Sequence, residues 1–412
     1  MTDAGSDKPD EPPRPPAIVP VLLIMVSSLS ILSGDLYLPS MPLLQTVFSA
    51  DAGQVQLTIS LNLAGFALGM LVWGPASDRF GRRPMFVVAL VLFALASLAC
   101  AAAPSISTLI AARFLQGAAA SAEVALGFAV IRDLYRDKDA VRLLALLGMV
   151  IAVVPMLGPV AGGYILAWFG WQANFILLAA GGGVAAVAIR LWLPESNPDR
   201  DRHALRPYVF LSTYARIWWN RQFVVMAGLS GLGFAMLMTF ITVAPFYVID
   251  VHGYAPETYG IYQGAIVAGY IVGSLFAHRM VARLGLAGLL TTGVWVSVAG
   301  GVGLVLLVVT GLDGPLPIAG PMSLAVFGLA LIFATAPLQA LTAVSGRAGA
   351  ASAALGTTES GIASLAALAV GLMSVGSAWP IALGVAIPAA GALALLLVLG
   401  RRYLATPQAG DA

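Results

Sequence analysis

Twelve runs of about 18 or more mostly apolar residues follow one another along the 412-residue chain, and nothing else in the sequence constrains its fold as strongly. They cover 17–39, 54–74, 84–103, 107–131, 143–168, 171–192, 223–248, 260–277, 286–310, 316–342, 347–375 and 379–400. About 20 helical residues at 1.5 Å rise span a hydrocarbon core of about 30 Å, so each run is a membrane-crossing helix. Only 10% of the residues are charged, against about 25% in an ordinary soluble domain. That composition excludes a soluble enzyme, a disordered chain and a nucleic-acid binder, and a net charge of +2 supplies no field for a polyanion. The single cysteine, Cys100, leaves no intramolecular disulfide to form.

The basic residues fix the expected orientation, because Lys and Arg beside spanning helices are retained in the cytoplasm. With the N-terminus inside, 20 of the 21 fall in the tails or in cytoplasmic connections; Arg113, inside the fourth run, is the exception. The outer connections carry Asp51, Asp250, Glu257 and Asp313 and no basic residue. The sequence therefore predicts twelve crossings with both termini cytoplasmic.

One connection is long. Residues 194–222 hold several arginines with Glu195, Asp199 and Asp201, and Trp218-Trp219 near the end, which reads as a linker with an interfacial helix. It separates a first bundle of six helices, 17–193, from a second, 223–400, flanked by a disordered Pro-rich head, 1–16, and a short tail, 401–412. The halves echo each other weakly: Gly74 to Arg83 after the second run, and Gly273 through His278-Arg279 to Arg283 and Gly285 after the eighth.

Four local patterns carry chemistry. Gly74-Pro-Ala-Ser-Asp78-Arg79-Phe-Gly81-Arg82-Arg83 sets an acid and three arginines in a connection of about ten residues whose tight turn needs its glycines. In the fourth run Gln116 lies about 60° and Glu123 about 80° around the helix from Arg113, a polar stripe that must face the bundle interior or water. The fifth run has Gly148, then Pro155-Met-Leu-Gly158-Pro159-Val-Ala-Gly162-Gly163, small residues that admit close helix approach and prolines that permit a kink. The first run ends in Gly34-Asp35-Leu36-Tyr37-Leu38-Pro39, with Asp35 about 27 Å along from Ala17 and at a depth similar to that of Arg113, so the two could meet across a cavity.

These patterns resemble the major facilitator superfamily: Gly74 to Arg83 its loop between helices 2 and 3, Arg113-Phe-Leu-Gln116-Gly117 its helix 4 motif, and the fifth run its antiporter motif. Asp35 before Tyr-Leu-Pro resembles the bicyclomycin and chloramphenicol-resistance branch of its drug:proton antiporters. The resemblance implies an all-α fold of twelve transmembrane helices in two pseudo-symmetric six-helix bundles. It implies proton coupling through Asp35, Arg113 and Glu123, and a conformational latch at Gly74, Asp78, Arg79, Gly81, Arg82 and Arg83. It also implies export of small amphipathic or antibiotic-like molecules in exchange for protons across an inner membrane. A monomer is expected, although no sequence feature fixes the oligomeric state.

Other residues are less determined. Glu359, about 18 Å along the eleventh run from Arg347, is either a second protonatable or cation-recognising acid or a packing residue bonded to nearby hydroxyls. Phe234 and Met238 of the seventh run, with Tyr37 and Gln116, are candidate substrate contacts, although core or lipid packing explains most such methionines and aromatics as well. His203, His252 and His278 fall in connections or at a helix end, which gives no metal site and denies an intramembrane enzyme its usual reagents. No phosphate-binding Gly-x-x-x-x-Gly-Lys-Ser/Thr loop occurs, so ATP is not expected to drive the chain, and no cofactor is expected. A metabolite exporter or symporter, or a membrane sensor that has lost transport, would share these features.

Overall fold

A computed structural model of the protein describes residues 16–135, 137–197, 200–201, 203–344, 348–373 and 376–400. Both predicted tails lie essentially outside this set, as do Arg136, Arg202 and Arg347. The described residues are almost entirely helical. Ten helical stretches among them are long and apolar enough to cross a bilayer. One of these is two crossings in series, and α6, with a shorter apolar stretch at Val153–Phe169, supplies the remaining one, which gives twelve.

The first half comprises α1 (Val19–Asp35), a short α2 (Met41–Phe48), α3 (Ala52–Phe80), α4 (Arg82–Ala101), α5 (Ile106–Leu134), α6 (Asp137–Phe169) and α7 (Trp171–Trp192). After α8 (Pro207–Trp218) come α9 (Arg221–Pro245), α10 (Pro256–Thr310), α11 (Pro315–Phe333), a short α12 (Ala336–Thr342), α13 (Ala348–Gly371) and α14 (Trp379–Leu395). Polar residues stand where helices must start. Asp51 and Gln54 form a reciprocal capping box on α3, Ser105 caps α5 and Asn220 caps α9, each satisfying amides that the helix itself leaves unpaired. The first predicted run ends earlier than expected: the helix stops at Asp35, and a single 3-10 turn, Leu38–Ser40, leads into α2.

The connection expected over Gly74 to Arg83 is far shorter than ten residues. α3 runs helically through Gly74 and Asp78 to Phe80, and Gly81 alone, at φ 104°, turns the chain into α4. Its counterpart is Gly285, at φ 65°, the one non-helical residue inside α10. Both positions need a left-handed backbone that only glycine adopts without strain.

Glycines reveal the register of the repeat. On α3, Gly65 and Gly69 pack on the carbonyls of Phe114 and Ala118 of α5; on α10, Gly269 and Gly273 pack on those of Ser323 and Phe327 of α11. Gly69 precedes Gly81 by the same interval as Gly273 precedes Gly285. Gly273 thus matches Gly69, not Gly74, and the expected alignment of the halves shifts accordingly. In this register Arg283 stands opposite Arg79 and Ala282 opposite Asp78.

The halves meet along α3 with α13 and α6 with α10. The chain crosses so that Gly81, Gly285 and the described residues of 194–221 lie at one end, called here the linker end, with Ser49 and Gly311 at the other, the far end.

Candidate functional site

At the far end the halves touch backbone to backbone. A Cβ at Gly163 would meet Cα of Glu257 at 2.8 Å, one at Gly260 would meet Cα of Val160 at 2.6 Å, and one at Gly53 would meet the Gly371 carbonyl at 2.7 Å. Gln45 Nε2 adds a 2.7 Å hydrogen bond to Asp250 across the same seam. Of the predicted glycine-rich segment of α6, Gly158 lies against Cβ of Asp35, Gly162 on the carbonyl of Leu36, and Gly163 on α10. Pro155 and Pro159 are held within the continuous helix. The surroundings of Gly148 fall outside the described residues. The α10 glycines divide their work: Gly260 and Gly264 face α6, whereas Gly269 and Gly273 face α11.

Between the halves lies a cavity of about 290 Å³, lined by Asp35, Asn62, Glu123, Pro155, Phe234, Met238, Tyr270 and Phe333 among others. Toward the linker end a wider vestibule of about 730 Å³ is lined by Asp78, Arg82, Arg132, Tyr214 and Glu359. Val124 and Phe128 of α5 border both spaces.

Arg113 does not reach the cavity. Its side chain is fully buried inside the first half, where Nη1 donates to the Ser33 carbonyl at 2.7 Å and to Gln116 Oε1, and Nε to the Thr58 carbonyl at 3.4 Å. The guanidinium stands 4.2 Å from the centroid of the Tyr37 ring, within cation–π range. Gln116 passes the network to Ser97 at 2.8 Å, and the Tyr37 hydroxyl pairs with Thr58 at 2.9 Å. The expected meeting of Asp35 with Arg113 is therefore not seen in this state. Asp35 feels the field of Arg113, yet no ion pair joins them, because backbone carbonyls, an amide and an aromatic face already occupy the guanidinium. Tyr37 and Gln116, expected to touch substrate, have no exposed surface and line neither space: the ring face of Tyr37 and Oε1 of Gln116 serve Arg113.

The three acids differ. Asp35, 7% exposed, closes α1 and faces the cavity. Glu123, 1% exposed, also faces it, and neither carboxylate oxygen has a hydrogen-bond partner, although the backbone of Ser30 lies close by. Glu359 opens on the vestibule and accepts a 2.5 Å hydrogen bond from Ser230. Phe234 and Met238 line the central cavity.

At the linker end Arg82 gathers a network. Its guanidinium meets Asp78 at 2.7 Å, Asp133 at 3.2 Å and Ser77 at 2.5 Å. Arg83 donates to the Arg190 carbonyl, and Arg79 lies over the ring of Phe80. Sequence reasoning missed the partners of this network. Glu195, just beyond α7, accepts from the backbone N–H of Arg82 at 2.8 Å and so caps α4; Asn197 Nδ2 and the amide of Asp201 both donate to the Asp78 carbonyl at 3.1 Å. An acid directly after the sixth run, at the depth of Gly81, was the available signal for Glu195. Asp133 beside Arg132 gave the same signal at the end of the fourth.

Comparison with known proteins agrees with this architecture. Residues 23–368 match the model of the Major Facilitator Superfamily, and the chain belongs to that family. It is 32% identical over 338 residues to an uncharacterized MFS-type transporter, YdgK, of Bacillus subtilis, covering 81% of this chain and 84% of the relative. It is 31% identical to the multidrug resistance protein MdtL of Salmonella heidelberg (79% and 80% covered) and 28% identical to a chloramphenicol resistance protein of Pseudomonas aeruginosa (81% and 78%). Among solved structures, a D-xylose-proton symporter superimposes with a TM-score of 0.71 over 91% of this chain and 96% of its own at 16% identity, a likeness of fold.

Proposed function

We propose that the chain exports small amphipathic, antibiotic-like molecules from the cytoplasm in exchange for protons, by alternating access. The observation that carries this reading is one apolar cavity with two carboxylates, sealed toward the far end and continued by a vestibule toward the linker end. The resistance proteins among its relatives, MdtL and the chloramphenicol resistance protein, support the choice of cargo. The distribution of Lys and Arg supports a cytoplasmic linker end, so this state would load cargo from inside.

In this reading, residues 17–193 and 223–400 rock as units about the cavity while 194–222 stays cytoplasmic, in a monomer of an inner membrane. Asp35 and Glu123 carry the protons. A bare carboxylate in so apolar a space costs several kcal/mol, so it has to hold either a proton or a positive group. Cargo and proton then exclude each other from one cavity, and exchange follows. Arg113 braces the first half and biases Asp35 through its field. The Asp78–Arg82–Asp133 cluster, clamped by Glu195, latches the vestibule side in one state. Purified protein in vesicles with an imposed pH gradient tests the reading: accumulation of chloramphenicol or a bicyclomycin-type compound against its gradient, together with proton movement, is expected. Proton flux without cargo movement, or neither, would overturn it.

A further inference from the structure

Resting on the efflux reading, we propose that Gln263 is a positioning residue for proton coupling: its side-chain amide takes up the Asp35 carboxylate once the proton has left, and so ties the two halves together at the far end. The glycine contacts set the levels. Gly260 of α10 rests on Val160 of α6 and Gly264 on Met156, while Gly158, midway between those two, lies against Cβ of Asp35. Asp35 of the first half therefore stands level with the turn 260–264 of the second. On that turn Gln263 is fully buried; its Oε1 accepts from the Tyr259 hydroxyl, and its Nε2 has no acceptor. Tyr259 in turn lies within the field of Asp35. One and two turns further along the same face, Val267 and Tyr270 line the cavity that Asp35 also lines.

Elimination leads to the same group. Among the described residues, the buried side-chain amides with an unpartnered Nε2 are those of Gln56, Gln263 and Gln339. Gln56 packs on Gly371 in the other seam, and Gln339 belongs to α12 at the linker end. Of the titratable and charged groups on the elements around Asp35, Arg113 is consumed by the Ser33 carbonyl and Gln116, Tyr37 pairs with Thr58, Tyr259 with Gln263, and Tyr262 lies against Phe240. Glu123 and Glu257 are acids that offer no donor when ionised. The tie is not made in this structure, where no described residue hydrogen-bonds the Asp35 side chain. A charged acceptor holds an N–H about twice as strongly as a neutral one, so loss of the proton makes the bond. The tie guards the exchange: a carrier that has released its proton inside and holds no cargo would leak if it swung outward, and the bond of Asp35 to Gln263 keeps it closed. Cargo beside Asp35, or a proton on it, frees the amide and lets the halves part.

The test follows far-end opening of the full chain in vesicles, without cargo, by the distance between spin labels on Ser49→Cys and Leu312→Cys, two exposed positions in different halves; Cys100 is buried. Raising the pH should increase the closed-to-open ratio at least about tenfold, the size of one hydrogen bond to a charged group. Gln263→Leu should lose most of that response and show a several-fold faster cargo-free proton leak, and Gln263→Met removes the amide with less change of shape should the leucine variant misfold. Gln263→Asn, which keeps the donor, should retain part of the response. In Asp35→Asn the response should already be gone, and adding Gln263→Leu should change nothing further. An unaltered response and leak in folded Gln263→Leu or Gln263→Met would overturn the proposal, as would a shift of equal size at every pH and in the Asp35→Asn background, which is the mark of packing alone. Uphill chloramphenicol export with no dependence on Gln263 would sink the tie and leave the efflux reading standing; a Gln263-dependent closure without any uphill export would remove the efflux reading and keep the tie.

Discussion

The two halves of the molecule share a scaffold and divide the chemistry. In the register fixed by the helix-packing glycines, Phe114 corresponds to Ser323 and Ala118 to Phe327, so Arg113 corresponds to Met322, Gln116 to Ala325 and Glu123 to Ile332. All six of these latter positions are buried. The same helix at the same depth therefore carries a charged and amide network in one half and plain apolar packing in the other. Placing ionisable groups in a membrane interior is costly, and a scaffold that needs only one such cluster concentrates it on one side and leaves the other as a smooth wall. The second half keeps Glu359, at the vestibule rather than in the core of its bundle.

Making the first half resemble the second tests this division directly. Asp35→Asn should reduce proton-driven uphill efflux to the passive level while insertion and folding persist, since the cavity wall is otherwise unchanged; vesicle transport under a pH gradient decides it, and retained uphill transport would place coupling elsewhere. Arg113→Met, which installs the residue of the second half, should be nearly as damaging and should also lower thermal stability. It strips the Ser33 carbonyl and Gln116 of their donor, at about 1–3 kcal/mol for each buried group left unpaired. The reverse probe, Met322→Leu, should leave both properties near normal, because shape-conserving apolar exchanges cost less than about 1.5 kcal/mol.

Smaller effects are expected at the linker end. Asp78→Asn should slow turnover by about tenfold with cargo affinity unchanged, as it weakens one contact of Arg82 far from the cavity floor. Equal losses of binding and turnover would make that network a folding element. Glu359→Gln should weaken export of cationic compounds a few-fold and spare neutral ones, a distinction read from susceptibility profiles of one strain at matched expression. Equal effects on both classes would assign Glu359 to packing with Ser230.

Hydropathy alone made the twelve crossings legible, because a bilayer permits few alternatives to a helix, and the family motifs lay in contiguous stretches. What was hidden depended on contacts between distant segments. That Arg113 would be satisfied by carbonyls and a ring, not by Asp35, is decided by how α1 ends at Asp35 and turns Tyr37 inward. The cap that Glu195, just beyond α7, places on α4 joins segments far apart in the chain, and only the placing of an acid after the sixth run hinted at it. The repeat was visible as similar letters but misaligned, since only the carbonyls beneath Gly65, Gly69, Gly269 and Gly273 reveal which glycines are equivalent.

The far-end seam at Gly53, Gly163 and Gly260 carries a consequence for leakage. Where a gate is built of long side chains, a single rotamer flip lets a water wire form for an instant. At these three positions backbone rests on backbone with no rotamer to flip, and the Gln45–Asp250 hydrogen bond is an exposed side-chain contact beside them. The barrier to an uncoupled proton is then the barrier to separating whole helices. Idle leak should accordingly be scarce at low temperature and rise steeply on warming, in step with turnover itself, so that little of the gradient is dissipated while the carrier waits for cargo.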